Sequence, residues 1–131
     1  EKNEKSKGAL TNLASVYLRQ QKHQKAADTF RALLEIRPES AAAHEGFAYF
    51  SYRLENFDEA AAHYQELVKI APDSYEGWFN LGLSLQKMER HEEGVEAYTE
   101  VFRLKDDSVS VHLHLAACCQ QLGKDKEAQA L

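Results

Sequence analysis

Apolar residues recur along the chain at helical spacing, and the spacing itself recurs. Leu81, Leu85 and Met88 mark one apolar stripe, and Tyr98, Val101 and Phe102 a second, each in the three- and four-residue steps of an amphipathic helix. Shifting the sequence by 34 positions lays this pattern on itself. "KHQKAADTFRALLEIRPES" at 22–40, "NFDEAAAHYQELVKIAPDS" at 56–74 and "RHEEGVEAYTEVFRLKDDS" at 90–108 share one skeleton. The register divides the chain into a charged leader, 1–6, three units, 7–40, 41–74 and 75–108, and a partial fourth, 109–131.

The columns conserve size as well as polarity. With positions numbered 1 to 34 inside a unit, register 7 reads Leu13, Phe47, Leu81, Leu115, and register 24 reads Phe30, Tyr64, Tyr98. Register 8 is always small (Ala14, Ala48, Gly82, Ala116), as is register 20 (Ala26, Ala60, Gly94, Ala128). Small residues facing large ones at fixed points predict two helices crossing closely, so each unit reads as a helix A, a tight turn and a helix B. Pro38 and Pro72 sit where helix B must stop. Asn56 with Glu59, and Asp73 with Glu76, form capping-box-like pairs at helix starts. Arg37, Lys69, Arg103 and Lys105 lie near C-termini, where the macrodipole favours cations. "VSVHLHL" at 109–115 alternates as a half-buried strand does, but its place in the period makes it the fourth helix A. The expected fold is all-α, a solenoid of antiparallel helix pairs.

Trp78, Leu81, Gly82, Gly94 and Tyr98 in the third unit, with Ala60, Tyr64 and Pro72 in the second, resemble the tetratricopeptide repeat over nearly the whole chain. The resemblance implies a right-handed superhelix whose A helices line a concave groove that binds a protein or peptide partner. Carried over by register, the groove residues are Asn12, Arg19, Tyr49, Tyr52, Arg53, Phe79, Asn80, Leu83, Lys87 and His114. Arg19, Arg53 and Lys87 would form a basic row beside an aromatic and aliphatic floor, suiting a peptide with apolar anchors and some acidic character. Where chaperone-binding members grip a C-terminal carboxylate, this chain has Thr11, Ser15, Gly46, Glu76 and Asn80, which lack the positive charge. The asparagine ladder of the sugar-transferring enzymes is represented by Asn12 and Asn80 only, broken by Gly46 and His114. Three further departures stand out. Gln21, Glu55 and Glu89 occupy the A–B turn where the family has glycine, with Gly123 the one match. Register 27, usually alanine, holds Leu33, Leu67 and Val101, and Asp106 replaces the last proline.

Composition narrows the function without naming it. The chain of 131 residues is 44% apolar and 28% charged with a formal charge of −5, a folded composition that does not suit general nucleic-acid binding. No apolar run is long enough to insert in a membrane, and the leader is no secretory signal, so a cytoplasmic setting is the expectation. Cys118 and Cys119 are neighbours that cannot bridge without strain and read as small buried side chains. His23 with His91, and His44 with His112, are repeat columns, while His112 and His114 are two apart and face different ways on a helix. This predicts no metal site. No glycine-rich phosphate loop or nucleophile elbow occurs, so neither a cofactor nor catalysis is expected. Two other readings fit the same residues: a regulatory or substrate-selecting arm of a larger enzyme, and a self-assembling scaffold. Register 24 is never reached in the fourth unit, which suggests a piece of a longer protein and self-association through an uncapped C-terminal end.

Overall fold

A computed structural model of the chain describes residues 2–104 and 109–130. Among them seven helices follow in order: α1 (Lys2–Arg19), α2 (His23–Ile36), α3 (Ala41–Arg53), α4 (Phe57–Ile70), α5 (Tyr75–Lys87), α6 (His91–Leu104) and α7 (Val109–Ala130). Each packs on its neighbours in sequence, and α5 also touches α7. Short connections make successive helices antiparallel, so the chain stacks as α1–α2, α3–α4 and α5–α6 pairs with α7 on the end. Residues 109–115 are helical as the period requires, with Val111 buried.

The ends of the helices differ in part from expectation. Ser40 and Ser74, not Asp73, are the N-caps of α3 and α5, their hydroxyls accepting from the amides of Ala43 (3.2 Å) and Gly77 (3.1 Å). Asn56 holds the N-cap position of α4 but makes no side-chain cap bond. The last turns of α2 and α4 finish ahead of Pro38 and Pro72 as expected, with Arg37 capping α2 and Lys69 in the last turn of α4. Lys105, Asp106 and Asp107 lie outside the described residues. Helix α1 begins at Lys2, so residues 2–6 of the expected leader are helical and continuous with the rest of α1. Helix α7 runs unbroken through Gly123 to Ala130, and the A–B turn expected there does not form. Lys, Glu, Gln and Ala after Gly123 are good helix formers that extend the helix, and Gly123 does not adopt a positive φ.

The three A–B turns share one geometry. Gln21, Glu55 and Glu89 take φ of 55°, 64° and 59°, the left-handed region that explains why the family places glycine there. The next amide reaches back to close each helix: Lys22 to the Tyr17 carbonyl (3.0 Å), Asn56 to Ser51 (2.8 Å) and Arg90 to Leu85 (2.9 Å). This is the Schellman closure, held here by side-chain-bearing residues at a conformational cost of about 1–2 kcal/mol each.

Packing follows the size columns. Tyr64 and Tyr98 are 2% and 0% exposed, and Ala48, Ala60 and Ala26 are fully buried where the helices cross. A Cβ added to Gly82 would sit 2.5 Å from the Tyr98 ring, and one on Gly46 would collide with the Phe30 ring. Register-24 rings therefore wedge between a small residue of their own unit and the next A helix. Among the described residues of these columns, exposure appears at the ends of the stack: Leu13 is 39% exposed in α1 and Ala116 is exposed in α7. Cys118 is buried as expected; Cys119 is not, because no helix among the described residues crosses that side of α7.

Two substitutions separate packing from helix propensity. Gly82→Ala should lower stability by about 1–3 kcal/mol, because the buried Tyr98 ring has nowhere to move, whereas Gly123→Ala, with nothing within 4 Å, should not destabilise at all. Glu55→Gly should raise stability by about 1 kcal/mol by relieving the left-handed turn. Urea unfolding followed by circular dichroism measures all three.

Candidate functional site

The A helices α3, α5 and α7 converge on one cleft of about 530 Å³, lined by Tyr52, Leu83, Gln86, Lys87, Glu89, His91, His114 and Gln121. Four of the residues read from the sequence thus meet here: Tyr52, Leu83, Lys87 and His114. A smaller cleft of about 230 Å³ beside it shares Tyr52 and Lys87 and adds His23, Arg53, Glu55 and Phe57. Tyr52 stands on the wall between the two, its ring 5.2 Å from Phe57.

The other expected groove residues lie elsewhere or play a different part. Asn12 and Arg19 are exposed on α1 and line neither cleft. Tyr49 is 42% exposed and packs edge-on against Phe50, outside both clefts. Asn80 is half-buried, its carbonyl accepting from the Ser84 hydroxyl at 3.0 Å. Phe79 is half-buried behind the wall, 5.9 Å from the Tyr98 ring and 5.7 Å from His114. It supports the groove from beneath.

What joins core to cleft is Gln86. Its Oε1 accepts the buried Tyr98 hydroxyl at 2.8 Å and lies 3.2 Å from His114 Nδ1, which must carry a proton to bond it. The His114 ring stacks on Tyr98, centroids 5.7 Å apart. With its oxygen occupied from behind, Gln86 is left with its amide N–H groups to offer. Burial, with lesser contributions from Cys118 and Tyr52, pushes the Tyr98 phenol above its ordinary value of 10.0, so it remains a donor. Tyr98 had been legible only as a core column; that it reaches through to the groove is a tertiary fact.

Carboxylates accompany part of the expected basic row. Arg53 shares its cleft with Glu55, and Lys87 shares its cleft with Glu89. For these two cations the turn residue two positions on is a carboxylate, whereas Arg19 is followed by Gln21 and lines neither cleft, so the part of the row at the clefts carries both signs. His91, read as a repeat column, also lines the main cleft, and its Nδ1 is buried with no hydrogen-bond partner among the described residues. No three His, Cys, Asp or Glu side chains among the described residues come together as metal ligands. No helix among them is long and apolar enough to cross a membrane.

The tetratricopeptide repeat profile matches residues 9–75 and again residues 75–108. The chain belongs to the tetratricopeptide repeat family. A comparison with curated proteins gives no match. Among solved structures, the first tetratricopeptide domain of Spaghetti (RPAP3) bound to the HSP90 peptide SRMEEVD superposes with TM-score 0.82 at 18% identity, covering 91% of this chain and 94% of that one. A MamA double mutant (RS-1) gives 0.86 at 22% identity over 99% and 72% of the two chains. The Sgt2 tetratricopeptide domain of Aspergillus fumigatus gives 0.78 at 17% identity over 92% and 82%. At these identities the superpositions establish the shared solenoid fold.

The Tyr98–Gln86 bond should be measurable by a double-mutant cycle. Tyr98→Phe should cost about 1 kcal/mol, and Gln86→Leu about 1–3 kcal/mol, because it strands the buried hydroxyl. Combining them should cost less than the sum of the two, as read from urea midpoints.

Proposed function

We propose that the repeats form a protein-interaction module that seats a partner's peptide segment in the cleft shared by α3, α5 and α7. The observation that carries this reading is the convergence of three successive A helices on one concave site. That site pairs the apolar faces of Tyr52 and Leu83 with donors from Gln86, Lys87 and Gln121. A peptide offers both complements at once: side chains for the apolar floor and carbonyl oxygens for the donors. The related domain of RPAP3, whose structure holds an HSP90 peptide, supports a peptide as the kind of ligand for this fold. Compensation of Lys87 by Glu89 favours a segment with no strong net charge over the acidic one expected from the basic row alone. The reading requires no catalytic step.

A random peptide library displayed on phage and panned against the folded chain tests the proposal. Clones selected on the native sequence should lose about 30-fold in affinity, roughly 2 kcal/mol, on Leu83→Ala with Lys87→Ala. Asn12→Ala with Arg19→Ala, outside the clefts, should leave them bound. Clones indifferent to the first pair and sensitive to the second would place the binding face on α1.

A further inference from the structure

His44 and His63 lie where α3 packs on α4. His44, on α3, is 7% exposed; its Nε2 is 2.7 Å from the Pro38 carbonyl and its Nδ1 is 3.0 Å from Nδ1 of His63 on α4. A carbonyl only accepts, so His44 Nε2 carries a proton. Two ring nitrogens at hydrogen-bond distance share one proton between them. With His44 neutral, that proton belongs to His63 Nδ1, which donates to the His44 lone pair. His63 can then gain a proton at Nε2 without disturbing either bond. A second added proton would have to go to His44 Nδ1, setting two N–H groups head to head.

We propose that this pair is an acid-sensitive joint seating α3 on α4: the first added proton charges the half-buried His63 ring, which costs stability although both bonds survive, and a second, on His44, would part the pair. The third unit contains the internal contrast. Trp78, the same register as His44, donates its indole N–H to the Pro72 carbonyl at 2.8 Å, a clamp that no physiological acid alters. Of these two units, acid sensitivity thus falls on the second, whose α3 also carries Tyr52 of the cleft wall.

The surroundings set the direction. His63 packs edge-on against Phe47 at 4.5 Å, and Arg31 from α2 lies over the same Phe47 ring at 5.1 Å. Burial, then His44, lowers the His63 pKa below its ordinary 6.5; Glu59 and Glu66 of α4 oppose this, and Arg31 adds to it. From the other side of α4, α5 meets it through Gly77 against Leu67 and Val68, an uncharged contact. A folded-state value below the unfolded one means that the stabilisation is fully present above pH 6.5 and is lost as the pH falls below it.

Two measurements on the full chain test the joint. Imidazole nitrogen NMR at pH 7.5 should find His63 protonated at Nδ1 and His44 at Nε2; the Nε2–H tautomer at His63 would overturn the assignment. In urea unfolding at pH 7.5 and 5.0, the native chain should lose about tenfold more in folding equilibrium than His63→Gln, whose amide still donates but does not titrate. Parallel losses in the two proteins would sink the proposal. Should His63→Gln fail to fold, the tautomer measurement decides alone.

Discussion

One contact organises the solenoid: a bulky ring at the middle of each B helix, pressed between a small residue of its own A helix and the face of the A helix that follows. Tyr98 shows it most fully, with Gly82 on one side and the His114 ring on the other. The ring belongs at once to the pairing within a unit and to the stacking between units. Neither can shift without the other, which is how a fold with no single centre achieves a continuous core. Protein interiors tolerate little change in volume at such points, so the small columns are as constrained as the large ones.

The cleft grows out of that contact. Because Tyr98 ends in a hydroxyl where register 24 of the first unit has Phe30, its ring delivers a hydrogen bond to the groove side, and Gln86 receives it. A core residue thereby orients a surface amide. The His44–His63 pair is a second instance of polar groups set between packed helices, and in the next unit the position of His44 is an indole and that of His63 is Ala97. Units equal in backbone are therefore unequal in chemistry.

Sequence reasoning went far with the fold and part of the way with the site. Registers alone brought Tyr52, Leu83, Lys87 and His114 to one side, because equal positions in equal units share a face. They could not say that Tyr49 stays outside the cleft, or that Phe79 serves beneath it. Both depend on the angle at which successive units turn, a quantity spread over many contacts. Glu55 and Glu89 likewise read only as turn residues, whereas the folded chain sets them on the same cleft linings as Arg53 and Lys87.

The linear pattern by itself determined the helix pairs of the three full units and most of their buried residues, since a 34-residue period gives equal positions inside the stack equal surroundings. It even carried "VSVHLHL" into a helix against its local alternation. Tertiary structure alone decided which serines cap, where α7 fails to turn, and which half-buried side chains share a cavity. Periodicity reports the average surroundings of a column, whereas a site is made by what differs between one unit and its neighbour.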